Sequence, residues 1–155
     1  MQLRNAVAEK VSESKMYEYK CELDRVVDGD TVDVDIDLGF GVWLKKERVR
    51  IMGIDTPESR TRDLVEKLFG KAAKAHLIGL LEEQDVSLIS HDKGKFGRIL
   101  GELFVTAEDG YRRSVNQRMV DDSHAVVYTG ENKDTTEARH LGNREILIEN
   151  GTVEL

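Results

Sequence analysis

The chain has 155 residues, with 23 lysines and arginines against 30 aspartates and glutamates, and a formal net charge of −7. This length fits one domain that buries most of its unfolded surface, and the single cysteine excludes a disulfide framework within the chain. The acidic balance by itself argues against a nucleic-acid-binding protein, because lysine and arginine make the phosphate contacts. No apolar run reaches the length of a membrane span, and the first residues lack the apolar centre of a signal peptide. We therefore expect a cytoplasmic monomer that does not contact membranes.

The charges are segregated along the chain. Residues 18–40 contain eight acids and two bases, whereas residues 41–76 contain nine bases and five acids. A nucleic-acid ligand is therefore compatible with the second segment in spite of the acidic total.

The first elements in chain order are an arm and three strands. Residues 1–16 are polar without a sustained period, which predicts an N-terminal arm, disordered or forming a short frayed helix, before a domain at 17–152. Alternating apolar residues predict strands over 17–27, 31–38 and 43–54, with Cys21 as a buried thiol in the first. The last two strands are joined by the glycine-rich turn "LGFG".

The second strand alternates strictly from Val32 to Leu38. Val32, Val34, Ile36 and Leu38 share one face, and Asp33, Asp35 and Asp37 share the other. We interpret the three aspartates as a solvated sheet face; the alternative is an additional cation site.

A helix and two more strands follow. In the stretch "LFGKAAKAHLIGLLEE", helical spacing gives one apolar stripe, despite the cost of Gly70 and Gly79: Phe69, Ala73, Leu77 and Leu80 or Leu81. Strands are predicted over 86–90 and 99–105. In the tail, "SVNQRMVDD" and "TTEARHLGNREILIEN" are predicted helices, the second with Thr135 or Thr136 as N-cap and Gly151 as stop. This order predicts a five-stranded barrel with helices packed at its side.

The stretch "ERVRIMGIDTPESR" carries the strongest chemical signal. Arg50 interrupts a largely apolar strand, and a buried guanidinium requires an anion nearby. The strand runs into a turn stiffened by Pro57, the only proline of the chain, which aims Asp55 and Glu58 toward a common point.

Three carboxylates are predicted to meet at one end of the barrel. Asp30 comes from the turn between the first two strands, and Asp55 and Glu58 come from the end of the third. At an effective dielectric of about 20, each close pair repels by roughly 4 kcal/mol, which a hard divalent cation such as Ca²⁺ offsets. The alternative for Asp30 and Asp55 is that each only stabilises its own turn.

Other residues leave two interpretations open. Arg98, in the glycine loop "DKGKFGRIL", presents a fork that matches phosphate, or it is an ordinary surface residue. Phe40 and Trp43 at the hairpin tip pack onto the barrel or offer a stacking contact. The four histidines show no metal-ligand spacing, and we expect them to be surface or capping residues.

The motifs "DRVVDGDTV", "VRIMGIDTPES" and "DKGKFGRIL", in this order, resemble the staphylococcal nuclease-like (thermonuclease) domains. The resemblance extends from about residue 17 to about residue 149. It implies an OB-fold, a five-stranded β-barrel with about three helices, and a calcium-dependent nuclease that cleaves DNA and RNA to 3′-phosphate and 5′-hydroxyl ends.

The resemblance also implies roles for single residues, matched motif by motif. Asp30, Asp55 and the backbone carbonyl of Thr56 would bind Ca²⁺, and Asp28 would support them. Glu58 would act on the attacking water. Arg50 and Arg98 would hold the phosphate.

Two positions depart from the family pattern. Phe96 replaces a tyrosine that touches the phosphate, and Val126 replaces an aromatic residue beside the nucleotide, which leaves Tyr128 as the nearby ring. Weaker base stacking is expected. Rival hypotheses are a non-catalytic OB-fold that binds nucleic acid and a calcium-stabilised module that binds a partner protein.

Overall fold

The computed structural model describes residues 17–93 and 97–155. Their elements are, in chain order, β1 (Glu18–Asp28), β2 (Thr31–Asp37), β3 (Trp43–Ile51), β4 (Ile54–Asp55), α1 (Leu64–Leu81), β5 (Asp85–Lys93), β6 (Ile99–Thr106), β7 (Arg112–Ser114), α2 (Val115–Asp121), β8 (Val126–Val127) and α3 (Lys133–Glu149). The predicted N-terminal arm, 1–16, lies outside the described residues.

The barrel closes through a parallel contact between β3 and β6. The sheet order is β3-β2-β1-β5-β6-β7, and β3 additionally pairs with β6 from Val49–Ile99 to Ile51–Gly101. All other neighbours in this sheet are antiparallel. Five strands therefore form a closed mixed barrel with three helices at its side, as the sequence predicts.

The core follows the predicted apolar faces of β2 and α1. Val32, Val34 and Ile36 are buried, but Leu38 is exposed because β2 ends at Asp37 and the chain turns away from the barrel. The α1 stripe Phe69, Ala73, Leu77 and Leu81 is buried as predicted, and so is Cys21. Among the described residues, no helix combines the length and apolarity that a membrane span requires.

The prediction of a solvated aspartate face on β2 is wrong for Asp33, which is only 7% exposed. Arg25 on β1 and Arg48 on β3 flank it in register and donate to its two carboxylate oxygens at 3.0 and 2.9 Å. The Arg48 hydrogen bond, with that of Arg25, lowers the pKa of Asp33. Asp35 likewise accepts from the backbone nitrogen of Lys46 at 2.8 Å. Cross-strand cations, which a single-strand pattern does not reveal, neutralise this face.

Two local expectations need correction. The N-cap of α3 is Asn132, whose Oδ1 accepts from the backbone nitrogen and the hydroxyl of Thr135 at 2.9 Å; Thr135 and Thr136 lie inside the helix. Gly151, with φ +79°, follows the end of α3 as predicted. Phe40 does not pack onto the barrel: its side chain is fully exposed at the tip of the β2–β3 hairpin.

His124 contradicts the expectation that the histidines are surface residues. It is buried after α2, stacks on His76 of α1 with ring centroids 4.4 Å apart, and its Nδ1 has no hydrogen-bond partner among the described residues. His76 itself contacts Asp122 at 2.7 Å, and Arg118 reaches the same carboxylate oxygen. Burial, assisted by His76 and opposed by Asp122, lowers the pKa of His124 to about 4.

We predict that this histidine makes the fold acid-sensitive. In the unfolded chain His124 is protonated below its ordinary pKa of 6.5, whereas in the folded protein it stays neutral down to about pH 4. Protonation therefore favours the unfolded chain, and the free energy of unfolding falls as the pH is lowered from 6.5 to about 4. From about pH 7 to about pH 5, wild type should lose roughly 2 kcal/mol more unfolding free energy than His124→Leu. Urea denaturation at both pH values measures this difference, and equal losses in the two proteins contradict it.

Candidate functional site

Asp30 and Arg50 meet where β2 starts and β3 ends. Thr31 pairs with Arg50 across the two strands, and the backbone nitrogen of Ile51 donates to the carbonyl of Asp30 at 2.8 Å. This register places Nη2 of Arg50 3.4 Å from Oδ2 of Asp30. The partner that Arg50 requires is therefore fixed by antiparallel pairing.

Asp55 reaches the same guanidinium from the next turn of the chain. Its Oδ1 lies 3.7 Å from Nη2 of Arg50, while Nη1 donates to the carbonyl of Ile51 at 2.7 Å. The Arg50 side chain is only 19% exposed. One mostly buried cation thus faces two carboxylates that are 25 residues apart in the chain, and the predicted convergence of Asp30 and Asp55 is present.

Asp30 is the more enclosed of the two carboxylates. Its Oδ1 accepts from the hydroxyl of Thr31 at 2.9 Å, and its Oδ2 accepts from the backbone nitrogen of Thr56 at 3.3 Å. Burial raises the pKa of Asp30, and the Arg50 guanidinium opposes that rise. Positive charge at this position therefore favours the ionised form of Asp30.

Two of the three predicted carboxylates, those of Asp30 and Asp55, converge. Among the described residues, no group of three or more acidic, histidine or cysteine side chains is placed to hold a metal ion, so the predicted meeting with Glu58 is absent. Oδ2 of Asp30 and Oδ1 of Asp55 face the same nitrogen of Arg50, so two carboxylate oxygens already converge on a point occupied by positive charge. Thr56 is buried beside them, and its Oγ1 has no hydrogen-bond partner among the described residues. Oxygen ligands of this kind suit Ca²⁺ or Mg²⁺ better than softer metals.

Two glycines allow the loops of the site to pack closely against α1. A Cβ on Gly29 would lie 2.8 Å from Cβ of Ala73 and 2.9 Å from Oγ1 of Thr56. A Cβ on Gly70 would collide with the carbonyl of Glu58 and lie 2.5 Å from the backbone nitrogen of Ser59. The helix therefore supports both loops of the site at a distance that only glycine permits.

Three other predicted residues, Asp28, Glu58 and Tyr128, form no hydrogen bond or ion pair with Asp30, Arg50 or Asp55. Glu58 is exposed and forms no hydrogen bond or ion pair with any described residue. Asp28 accepts from the backbone nitrogen of Gly29 at 3.1 Å and so fixes the turn that carries Asp30. Tyr128 is partly exposed, and its backbone nitrogen bonds the carbonyl of Gly53. Phe96 lies outside the described residues.

Arg98 lies on the same wall of the barrel as Arg50. It precedes β6, and Leu100 two residues later pairs with Arg50, so the two arginines share one face of the sheet. There Arg98 lines an open depression with Arg48 and Asp33. The structure thus brings Asp30, Arg50 and Asp55 into contact, whereas Arg98 lines a depression to which none of these three residues contributes.

The sequence interpretation missed His140. This α3 residue is mostly buried, and its Nε2 lies 2.8 Å from Oδ2 of Asp55. Because a carboxylate only accepts, the imidazole is the donor. The contact spans 85 positions of sequence, and the only signal for it was a histidine in an amphipathic helix, a pattern shared with most surface histidines.

Comparison with known proteins identifies the family. Residues 48–147, more than half of the chain, match the family model described as staphylococcal nuclease homologue. The chain belongs to the staphylococcal nuclease family. The matched region contains Arg50, Asp55, Glu58 and Arg98, whereas Asp30 precedes it.

Relatives within and near this family share about a third of their aligned residues with the chain. Protein ParB of Escherichia coli is 34% identical over 115 residues, covering 72% of this chain and 58% of ParB. Micrococcal nuclease of Shigella flexneri is 28% identical over 127 residues, covering 79% of this chain and 66% of that protein. Thermonuclease of Staphylococcus intermedius is 37% identical over 87 residues, covering 54% of this chain and 48% of that protein. The chain therefore spans less than two thirds of the length of these relatives.

Two glycines of α1 provide a matched test of the contact between helix and site. Gly79 has open space where a Cβ would stand, whereas Gly70 abuts the Glu58–Ser59 peptide. We predict that Gly79→Ala stabilises the protein by about 0.5–1 kcal/mol through helix propensity, and that Gly70→Ala destabilises it by about 1–3 kcal/mol through overpacking. Thermal unfolding of both variants measures the difference, and equal stabilisation by the two alanines would disprove the tight contact.

Proposed function

We propose that this chain is a calcium-dependent nuclease that hydrolyses phosphodiester bonds of DNA and RNA. The observation that carries the proposal is the placement of one Arg50 nitrogen between Asp30 and Asp55, with Glu58 three residues farther along the same loop and unpaired. Membership of the staphylococcal nuclease family, and relatives named micrococcal nuclease and thermonuclease, support it.

Asp30, Asp55 and the backbone carbonyl of Thr56 would hold the calcium ion. When bound, calcium supplies positive charge that neutralises the carboxylates and polarises the phosphoryl oxygens. The carboxylate of Asp30 is oriented by the hydrogen bonds that it accepts from Thr31 and Thr56.

Arg50 and Arg98 would bind the phosphate that is cleaved. A guanidinium fork aimed at the phosphoryl oxygens stabilises the charge that develops there in the transition state more than it stabilises the ground state. Arg50 is held by a backbone carbonyl as well as by carboxylates, so its position does not depend on the substrate alone.

Glu58 would accept or orient the proton of the attacking water. Its exposed side chain and lack of a partner among the described residues are compatible with that task. In-line attack that expels the 5′-oxygen leaves 3′-phosphate and 5′-hydroxyl ends, which is the product we propose. Phe96 and Tyr128 would contact the nucleotide, and the nuclease domain would comprise residues 17–152.

A digestion experiment tests this function. We expect plasmid and single-stranded DNA to be cleaved with calcium and to stay intact with chelator, because the carboxylates then lack the charge that joins them to the substrate. Glu58→Gln should reduce the rate by about 10² to 10⁴ with an unchanged melting temperature. Sequencing the product ends checks the side of cleavage.

The outcomes separate the proposal from its rivals. Intact substrate under both conditions would exclude nuclease activity. Binding of DNA without cleavage would indicate a non-catalytic OB-fold. A calcium-dependent rise in melting temperature with neither DNA binding nor cleavage would indicate a calcium-stabilised module. Wild-type rates in Glu58→Gln would remove that residue from the mechanism.

We further propose that His140 positions Asp55 for the cation. By holding Oδ2, His140 leaves Oδ1 on the side of Asp30. His140→Ala should weaken calcium binding about 10-fold or more, as loss of such supporting hydrogen bonds typically does, whereas His140→Gln, which keeps a donor, should retain part of it.

The measurement is the calcium dependence of the melting temperature, followed together with cleavage. His91→Ala is the matched control, because His91 forms a comparable contact with Glu102 at 2.9 Å on another part of the barrel. An equal change of calcium dependence in both alanine variants, or none in His140→Ala, would refute the positioning role.

A further inference from the structure

We infer that a row of basic side chains along the loop after β4 and along α1 binds the phosphate backbone of the nucleic-acid substrate beyond the cleaved bond. This α1 basic row consists of Arg60, Arg62, Lys67, Lys71 and Lys74. The inference rests on the proposed nuclease function, because it concerns the path of that enzyme's substrate.

The row is a concentration of positive charge on an acidic protein. Residues 60–74 contain five bases and only two acids, Asp63 and Glu66, in a chain of net charge −7. Asp63 is already engaged as the N-cap of α1, where its Oδ1 accepts from the backbone nitrogens of Val65 and Glu66. The basic row therefore has little neutralising charge within its own segment.

The members of the row are also unpaired. Within the described residues, none of the five side chains forms a hydrogen bond or an ion pair. Seven arginines elsewhere in the protein have carboxylate partners: Arg25, Arg48, Arg50, Arg112, Arg113, Arg118 and Arg139. Arg60, Arg62 and Lys71 are exposed, and Lys67 and Lys74 are partly so. The row thus offers free cations to a ligand, in contrast to these paired arginines.

Helical phase places the lysines beside the site. Lys67, Lys71 and Lys74 are spaced i, i+4 and i+7 and lie along one face of α1. At about 100° per residue, Gly70 projects about 60° from Lys67 and about 40° from Lys74. Gly70 is the residue that touches the Glu58–Ser59 peptide. Lys67 and Lys74 therefore flank the segment that carries Glu58, and Lys71, about 100° from Gly70, lies farther toward solvent. Arg60 and Arg62 follow Glu58 in the chain.

The dimensions suit a nucleic-acid strand. Seven residues of helix rise about 10 Å from Lys67 to Lys74, and one strand of a DNA duplex carries about three phosphates over that distance. Three lysines thus meet about three phosphates in series. A polyanion is favoured over an anionic membrane because the row adjoins the candidate catalytic loop, although Leu64 and Leu68 are exposed on the same helix.

The test compares two triple variants of the full-length chain. K67Q/K71Q/K74Q removes three charges from the row, and the control K20Q/K45Q/R113Q removes three exposed charges from β1, β3 and β7. Binding of a labelled DNA duplex is measured in chelator over a range of salt concentrations, with cleavage of the same duplex in calcium measured in parallel. Melting temperatures verify that both variants fold.

Each phosphate contact contributes about 0.9 to the slope of log affinity against log salt. We expect the row variant to flatten that slope by about 2 to 3 and to bind at least about tenfold more weakly at low salt, while the control keeps the wild-type slope. An unchanged slope in the row variant, or an equal change in the control, would overturn the inference.

Two further results distinguish failure of this inference from failure of the proposed nuclease function. Loss of binding to anionic phospholipid vesicles, with an unchanged DNA slope, would assign the row to a membrane and overturn the inference. If wild type does not cleave but the row variant still flattens the DNA slope, the proposed nuclease function fails and the row stands as a DNA-binding surface.

Discussion

The contact of one Arg50 nitrogen with Asp30 and Asp55 is the constraint on which the site depends. A guanidinium in the wall of a barrel is costly without anions, and two carboxylates at one point are costly without a cation, so each arrangement is stable only because the other is present. β-strand register supplies Asp30, and the turn after β3 supplies Asp55. Under the proposed function, an added cation would replace the arginine as partner of the carboxylates, and a phosphate would replace the carboxylates as partner of the arginine.

Helix α1 gives this charged cluster a rigid support. The turn with Asp30 and the loop with Glu58 touch α1 at Gly29 and Gly70, where a side chain would not fit. The apolar stripe of the helix covers the barrel core, so core packing and site geometry are joined through one element. His140 on α3 adds a second support at Asp55. The loops of the candidate site are thus held by helices that belong to the hydrophobic core, and the proposed catalysis would benefit from this preorganisation.

The surface contains one region whose charges are paired within the sheet and one whose basic side chains are unpaired. Asp33, with arginines in register on both sides, is neutralised within the sheet, and this ion-paired region needs no external ligand. The α1 basic row has no such partners among the described residues. An acidic protein can therefore still attract a polyanion, because local unpaired charge, and not the net charge of −7, determines the field at the site.

The sequence by itself determined the strands, the α1 stripe and the chemistry available at the site. Alternation and helical spacing depend on the neighbouring residues alone, and Arg50 within an apolar strand required an anion wherever the chain folded. Only the tertiary structure decided that cross-strand arginines hold Asp33, that His140 reaches Asp55, and that Gly70 abuts Glu58. These contacts join residues that are 8 to 85 positions apart, and they arise from strand register and helix docking, which no local periodicity encodes.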